Sequence, residues 1–493
     1  MDRRSFLTTT AATALAARAH AADTARRPNI LFCFADDWMW PHAGVHGDPV
    51  VSTPTFDRVA AEGVLFNQAY VAAPSCTPSR AAVLTGQYPF RLGPGVNLTS
   101  CLPAEHQVYP DLLEAAGYHV GFTRKGWAPG NEKAAGRRRN PAGPRFADFG
   151  AFLAARRADQ PFCFWFGSTQ PHRMYDVDSG VRAGLEPARV KVPPYLPDCD
   201  TVRRDICDYY GQVQRFDRDV AGLLEQLDRA GLADNTIVVM TGDNGWPFPR
   251  GKATLYEAGT HAPLAIRWPG KIPAGRRVDD FASLADLAPT FLEAAGLPPA
   301  KKMTARSLMP VLTAAGSGQI DPTRDHVLTS MERHVRCRDI GLGPGLGAGY
   351  PMRAIRTARY RLIVNHHPER WPSGDPMGFE QPGAQPADFA KLASETRAAF
   401  ADIDAGPTKA WLVLHRDEPA VRPLFEAACG RRPARELYDL QADPYEQHNL
   451  AGDPAHAAAQ AQLEAQLTAE LKAAGDPRTV PGSPELDQLA PTP

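Results

Sequence analysis

Three continuous apolar runs stand out along the first half of the chain, at residues 29–35, 161–168 and 236–241. Strands buried on both faces of a parallel sheet have this composition, so the runs predict three interior strands of such a sheet. Between the second and third runs, apolar residues recur every three or four positions from Val202 to Leu227, which predicts a long amphipathic helix stopped by Gly231. The pattern favours an α/β fold in which helices sandwich a mostly parallel sheet.

Alternation of apolar and polar positions returns near the C-terminus, at residues 359–364, as is typical of a strand with one exposed face. The Ala-, Gln- and Leu-rich stretch from about Pro454 to Ala474 predicts a terminal helix, and residues 476–493 have the composition of a tail. Because 493 residues exceed the usual size of one domain, we expect a large domain followed by a smaller one.

The net charge and the N-terminal sequence restrict which kinds of protein this chain can be and where it is found. The formal net charge of -1 does not suit a protein that coats nucleic acid, so an anionic substrate must meet a local cluster of basic groups. Arg3 and Arg4 precede an apolar run at residues 6–17, which resembles a twin-arginine export signal with cleavage near Ala21. The run is too short for a permanent membrane anchor. We exclude residues 1–21 from the fold and expect a periplasmic or secreted protein.

Polar side chains follow each of the three predicted strands. Asp36 and Asp37 come directly after the first strand, His172 after the second, and Asp243 and Asn244 after the third. Open α/β sheets bind their ligands at this carboxyl edge, so we expect the five side chains to lie close together. Carboxylate and amide oxygens suit a hard cation such as Ca²⁺ and disfavour zinc. A solvated turn is the alternative interpretation of Asp36 and Asp37.

The segment around Cys76 has the features of an anion site at the start of a helix. Pro78 suits the first turn of a helix, which places Cys76 where that helix begins. Free N–H groups and the helix dipole favour an anion there, and Arg80, one turn later, adds a fixed positive charge. A lone cysteine in this position is more often a buried structural residue, so the wider motif decides the interpretation.

The whole segment, Ala-Pro-Ser-Cys-Thr-Pro-Ser-Arg-Ala-Ala-Val-Leu-Thr-Gly at residues 73–86, resembles the signature of type I sulfatases. In that family the cysteine of C-x-P-x-R is oxidised to formylglycine. The resemblance covers nearly all of the chain after the signal and is closest to N-sulfoglucosamine sulfohydrolases and their bacterial relatives. It implies an alkaline-phosphatase-like fold with a catalytic domain at residues 22–350, a smaller antiparallel-sheet subdomain at residues 351–475 and a tail at residues 476–493.

Other segments carry the same resemblance. Lys125 matches the lysine of the sulfatase pattern G-K-W-H, although Arg124 replaces the glycine and Trp127 stands where the histidine is usual. His172 matches the histidine that touches the ester oxygen, and Lys252 matches a second sulfate-binding basic residue. Taken alone, Lys125 is more often a surface lysine and His172 a histidine satisfied within a loop.

The resemblance also implies roles for these residues. One hydroxyl of a hydrated formylglycine attacks sulfur while Ca²⁺ neutralises charge on the sulfate oxygens. The implied metal ligands are Asp36, Asp37, Asp243 and Asn244. The implied catalytic residues are Cys76, Arg80, Lys125, His172 and Lys252. As a working hypothesis, the substrate-pocket residues are Glu332, Arg333 and His334.

The implied partners are a sulfated saccharide and a maturing enzyme, either a formylglycine-generating enzyme or an anaerobic sulfatase-maturing enzyme. N-sulfated glucosamine of heparan-type glycans is the first candidate substrate, but the sequence leaves open an N-linked or an O-linked sulfate. It also leaves open a homodimer. Two other functions stay open: a phosphatase or phosphonate monoester hydrolase of the same superfamily, and a non-catalytic protein that binds sulfated glycans, which Trp127 in place of histidine would suit.

Overall fold

The computed structural model describes residues 27–341 and 347–489. The predicted export signal lies outside this described part, as do residues 490–493 of the predicted tail and residues 342–346. In the described residues, no helix combines the length and the hydropathy that a membrane crossing requires.

Most of the strands belong to two sheets. In chain order the strands are β1 (Asn29–Ala35), β2 (Val64–Phe66), β3 (Ala69–Tyr70), β4 (His119–Arg124), β5 (Phe162–Gly167), β6 (Thr236–Gly242), β7 (Leu264–Arg267), β8 (Arg276–Val278), β9 (Ala282–Ser283), β10 (His326–Met331), β11 (Met352–Thr357), β12 (Tyr360–Asn365) and β13 (Arg435–Asp439). The large sheet has seven strands in the order β4-β5-β1-β6-β7-β2-β8. Within it, β1 pairs in parallel with β5 and β6, and only β7 runs against its neighbours.

Helices lie along the chain between these strands. They are α1 (Pro54–Ala61), α2 (Cys76–Thr85), α3 (Tyr109–Ala115), α4 (Phe149–Ala155), α5 (Ser179–Arg182), α6 (Asp200–Arg229), α7 (Glu257–Thr260), α8 (Leu287–Ala294), α9 (Met309–Thr313), α10 (Phe389–Ser394), α11 (Pro407–Leu414), α12 (Arg422–Cys429) and α13 (Ala457–Ala474). The longest, α6, buries one apolar stripe against the large sheet, where the rings of Phe216 and Phe166 lie 6.3 Å apart.

The central strand β1 has a hydrophobic cluster on each face. Phe32 and Phe34 pack with Trp165 on one face, with ring centroids 4.9 and 5.3 Å from the indole. Leu31 and Cys33 face the other cluster, which includes α6. Because side chains alternate along a strand, a run that is apolar at every position belongs in such a two-sided core. This burial fixes the carboxyl end of β1, where the site residues begin.

The smaller sheet has four antiparallel strands in the order β10-β11-β12-β13 and begins before residue 350. Helix α13 covers it through Leu463 and Leu467. The described part of the predicted tail also packs here, because Asp476 is fully buried and accepts a 2.6 Å hydrogen bond from Nε of Arg353. The end of the chain up to residue 489 is thus tied to this sheet.

The predicted fold class is confirmed: a large, mostly parallel sheet is flanked by helices and followed by a small antiparallel sheet. The three apolar runs form β1, β5 and β6, and the amphipathic stripe forms α6.

Candidate active site

The carboxyl ends of β1 and β6 bring together the four predicted metal ligands, all of them buried. Asp37 adopts a left-handed backbone conformation, with φ of 73°, which is uncommon for a residue other than glycine. Two bonds hold it there. Its N–H donates to Oδ1 of Asp243 at 2.9 Å, and its Oδ1 accepts from Nδ2 of Asn244 at 2.7 Å. The adjacent carboxylates Asp36 and Asp37 are thereby turned into the same small volume.

Cys76 begins α2 and points into that volume. Its Sγ lies 3.5 Å from Oδ1 of Asp36, and one ligand atom each from Asp36, Asp37, Cys76 and Asp243 lies within 4.8 Å of the others. Oδ1 of Asn244 is buried and has no hydrogen-bond partner among the described residues. A buried amide oxygen without a donor is costly, so its place beside three carboxylates fits an oxygen-liganded cation.

Three basic side chains surround the buried group formed by Cys76 and the four predicted metal ligands, which we call the centre. Arg80 directs Nε and Nη2 at Oδ2 of Asp243, each at 2.8 Å, and donates through Nη1 to the carbonyls of Lys125 and Gly126. Nζ of Lys125 lies 2.7 and 2.6 Å from the two carboxylate oxygens of Asp36. Nζ of Lys252 lies 2.9 Å from Oδ2 of Asp37. The structure therefore pairs each predicted basic residue with one of the acidic ligands.

Burial and these pairings set the charge of the individual groups. Burial alone would raise the pKa of Asp36, but Lys125 and the other nearby cations outweigh it and hold that pKa below its usual range. Burial raises the pKa of Asp243 to about 6, because Arg80 offsets it only in part. Burial also raises the pKa of the Cys76 thiol. At neutral pH the unmodified cysteine is consequently a thiol and a poor nucleophile.

His172 lies at the more open side of the centre, with 36% of its side chain exposed. Its Nδ1 hydrogen-bonds the carbonyl oxygen of Arg173, and because a carbonyl only accepts, Nδ1 carries the hydrogen. Nε2 lies 3.9 Å from Oδ2 of Asp37 and is the nitrogen that can exchange a proton with a bound molecule.

Asp404 lies at the same open side, and no sequence pattern predicts it there. Oδ2 of Asp404 lies 3.3 Å from Nζ of Lys252, and a carboxylate oxygen of Asp404 lies within 4.8 Å of ligand atoms of His172 and Asp37. Burial opposes ionisation of Asp404, but Lys252 lowers its pKa, so it is a carboxylate at neutral pH. No motif surrounds it, so only long-range packing reveals its position.

The three predicted substrate-pocket residues lie in different surroundings, and only one of them reaches the centre. Nδ1 of His334 lies 2.8 Å from Oγ of Ser75, next to Cys76, so His334 is at the centre. Glu332 instead accepts from Arg353 and Arg478, and Arg333 donates to the carbonyls of Asp487 and Leu489. Their side chains are committed to the packing of the chain end, and the structure does not bring them to the centre.

Trp127, which stands where the family pattern has histidine, is only 1% exposed and belongs to the core of the large domain. Its ring packs against Gly130, where an added Cβ would lie 2.6 Å from Cη2 of the indole. Asn140 binds the backbone N–H and carbonyl of Trp127 at 3.0 Å each. This position supplies packing and no proton-transferring group.

Comparison with known proteins agrees with this geometry. The sulfatase family model matches residues 28–297. The chain is 28% identical over 507 residues to an ulvan-active sulfatase of Formosa agariphila, across 94% of this chain and 78% of that protein. It is 27% identical over 496 residues to the N-sulphoglucosamine sulphohydrolase of Homo sapiens, across 90% of this chain and 89% of that protein.

Solved structures show the same fold at lower identity. A protein in complex with its substrate, D-glucosamine-2-N,6-O-disulfate, superimposes with a TM-score of 0.64 at 20% identity, across 92% of this chain and 99% of that one. A phosphonate monoester hydrolase from Silicibacter pomeroyi has a TM-score of 0.63 at 20% identity, across 92% and 97% of the two chains. The family model spans more than half of the sequence and includes every predicted metal ligand and catalytic residue. The chain therefore belongs to the sulfatase family and is a sulfuric ester hydrolase.

Proposed function

We propose that the protein hydrolyses sulfate esters or sulfamates of a sugar, and that N-sulfated glucosamine of heparan-type glycans is the substrate class to test first. The observation that carries the proposal is the position of Cys76, at a helix start and 3.5 Å from Asp36 within a buried set of carboxylates and cations. The relatives support a sugar substrate, because one is named for activity on ulvan and another for N-sulphoglucosamine.

We assign a Ca²⁺ ion to Asp36, Asp37, Asp243 and Asn244. The donor set is all oxygen, and Oδ1 of Asn244 has no other partner among the described residues. Bound there, Ca²⁺ would supply positive charge to the oxygens of the sulfate group. The charges favour this assignment, because the carboxylates Asp36, Asp37, Asp243 and Asp404 outnumber the cations Arg80, Lys125 and Lys252. A divalent ion reverses that excess and suits a sulfate monoester, which carries one negative charge.

We infer that Cys76 acts after conversion to formylglycine, whose hydrate supplies an oxygen nucleophile. Burial raises the pKa of the thiol, so the unmodified side chain is poorly suited to attack. Arg80 is held by Asp243 and by two carbonyls, so it presents a fixed charge beside residue 76.

The remaining residues act on the two sides of the sulfate group. Lys125 and Lys252 balance the charge that develops on sulfate oxygens during transfer. His172 exchanges a proton with the leaving group through Nε2, since Nδ1 is committed to the carbonyl of Arg173. His334 orients Ser75 and so the start of the helix that carries residue 76.

The test combines peptide mass spectrometry with an assay of sulfate release. We expect the peptide that contains residue 76 to be lighter than its cysteine form by about 18 Da, as an aldehyde in place of the thiol-bearing carbon requires. We expect the protein to release sulfate from N-sulfoglucosamine or from glucosamine 6-O-sulfate, and Cys76→Ser to fold normally without turnover. An active Cys76→Ser variant would refute the assignment.

The same assay separates the two alternatives. Faster hydrolysis of a phosphate or phosphonate monoester than of either sulfated sugar would favour a phosphatase or phosphonate hydrolase. Unmodified Cys76 in protein from the native host, together with retained binding of the sulfated sugar, would favour a non-catalytic glycan-binding protein.

We further propose that a formylglycine-generating or anaerobic sulfatase-maturing enzyme modifies Cys76 before export to the periplasm. The paired arginines of the N-terminal sequence support this order, because twin-arginine export carries proteins that are already folded. Replacement of Arg3 and Arg4 by lysine should retain modified protein in the cytoplasm, and unmodified retained protein would contradict the order.

A further inference from the structure

Asp404 is a carboxylate at the open side of the active site that the proposed reaction leaves without a role. It lies within 4.8 Å of ligand atoms of His172 and Asp37, and its side chain is 15% exposed. Lys252 contacts it at 3.3 Å but lies closer to Asp37, at 2.9 Å. One carboxylate oxygen of Asp404 has no hydrogen-bond donor among the described residues. Asp404 can therefore accept a hydrogen bond from a bound molecule.

Hydrogen bonds link the neighbour of His172 to the segment that follows Asp404. Nη1 and Nη2 of Arg173 donate to the two carboxylate oxygens of Asp205, at 2.8 and 2.7 Å. The same carboxylate accepts from N and Oγ1 of Thr408, at 3.1 and 2.6 Å. Gly406 lies flat against Arg173, because a Cβ there would be 2.3 Å from a guanidinium nitrogen. Arg173, the neighbour of His172, is therefore linked through the carboxylate of Asp205 to the segment that carries Asp404.

The position of His172 also locates the leaving group. In the proposed reaction, the leaving atom must lie beside Nε2 of His172 to exchange a proton. A carboxylate within 4.8 Å of that ring can accept a hydrogen bond from the leaving atom only if that atom carries hydrogen. The nitrogen of a sulfamate carries one hydrogen in the substrate and three in the ammonium product. The bridging oxygen of a sulfate ester carries none in the substrate and one in the neutral alcohol product. A carboxylate at this position therefore distinguishes the two bonds in the substrate, and the two products by their charge.

We propose that Asp404 is a specificity-determining residue that favours cleavage of S–N over S–O bonds, by accepting the N–H of a sulfamate and binding the ammonium product. The inference rests on the proposed function and selects one of its two substrate classes.

The chemical balance explains why a charged acceptor matters. In sulfamate hydrolysis the S–N bond breaks and its electron pair stays on nitrogen. One water is consumed overall: its oxygen ends on sulfur and both of its hydrogens end on nitrogen, which gives an ammonium ion and sulfate. His172 delivers the first of these protons. Hydrolysis of an ester instead leaves a neutral alcohol, whose O–H can donate to a carboxylate but carries no charge, so Asp404 forms an ion pair with the product only when nitrogen departs.

The test compares Asp404→Asn with the parent protein on N-sulfoglucosamine and on glucosamine 6-O-sulfate. We expect kcat/KM to fall about tenfold or more on the sulfamate, the size of a lost charge-assisted hydrogen bond, and less than about threefold on the ester. Asp375→Asn is the matched control, because Asp375 is a half-buried carboxylate of the same subdomain whose Oδ2 binds only the N–H of Asp339. It should change neither rate.

A binding measurement on Cys76→Ser protein gives a second readout that does not depend on turnover. Glucosamine should bind more weakly when Asp404→Asn is added, while N-acetylglucosamine, whose amide N–H is an uncharged donor, should lose less affinity. Equal loss of activity on both substrates, or unchanged glucosamine binding, would overturn the inference. A parent protein that cleaves only the ester would overturn it too but leave the sulfatase assignment intact. Release of sulfate from neither sugar would refute the proposed function, and this inference with it.

Discussion

Replacement of Gly167 by alanine should damage the active site through the backbone alone. Gly167 ends β5, and its missing side chain makes room for the loop that carries Lys125. A Cβ added there would lie 1.6 Å from the carbonyl oxygen of Lys125, so the loop would have to move by about 1.7 Å to restore an ordinary contact of about 3.3 Å. No rotamer change relieves this clash, because the backbone fixes the position of a Cβ and the other atom is a backbone carbonyl oxygen.

The expected cost follows from the bonds at that carbonyl. The oxygen of Lys125 accepts from Nη1 of Arg80 at 3.2 Å and from Nε1 of Trp165 at 3.1 Å. Loss of both hydrogen bonds costs about 2 kcal/mol and overpacking adds about 1–3 kcal/mol, so we expect the free energy of unfolding to fall by about 3–5 kcal/mol. Displacement of Lys125 from Asp36 by more than an ångström should also reduce sulfate release about 100-fold.

The assay is urea denaturation together with sulfate release at saturating substrate. Gly222→Ala is the matched control, because Gly222 lies within α6 and an added Cβ there would meet no atom within 4 Å. In a helix interior alanine is favoured over glycine by about 0.5–1 kcal/mol, so this variant should be equally or more stable and fully active. Normal stability and activity in Gly167→Ala would refute the role given to this close backbone contact.

Two other variants test the metal site and the junction of the small sheet with its helix. Asn244→Leu removes the amide oxygen but keeps a side chain of similar size, so the thermal stabilisation of the protein by added Ca²⁺ should shrink or disappear. Undiminished stabilisation would show that Asn244 is not a ligand. His326 on β10 pairs with Glu470 on α13 at 2.8 Å, and this hydrogen bond raises the pKa of His326. A histidine whose pKa is raised in the folded state stabilises the fold most below about pH 6.5. His326→Gln should therefore lower the free energy of unfolding by about 1 kcal/mol there, and by progressively less as the pH rises through the folded-state pKa. A loss of stability that grows with pH would contradict the pairing.

The central sheet, and the meeting of the predicted metal ligands at its edge, were predictable because both depend on local sequence. A run that is apolar at every position has few alternatives to a buried strand, as the match of residues 29–35 with β1 illustrates. Parallel strands then bring their carboxyl ends to one edge, which is why Asp37 and Asp243 meet although 206 residues separate them.

Other features of the site depend on packing between distant segments and carried no local signal. Glu332 and Arg333 adjoin His334 in sequence, but only His334 reaches Ser75. Glu332 is paired with Arg353, and buried charges need partners, so a charged stretch near a motif can serve the fold as readily as the substrate. Asp404 was missed for the opposite reason, since a single carboxylate in an irregular segment has no pattern to recognise.

Both parts of the chain contribute residues to the active site. The large sheet and α2 provide the proposed metal ligands, residue 76, Arg80 and Lys125, all within residues 28–297 that match the family model. Asp404 and His334 come from beyond that range and reach the centre beside Lys252 and Ser75. Chemistry on the sulfate group is common to sulfuric ester hydrolysis, whereas the leaving group differs with each substrate. In the proposed arrangement His172 from the matched range and Asp404 from beyond it both face the leaving group, so Asp404 can change with the substrate without disturbing the residues that bind sulfate.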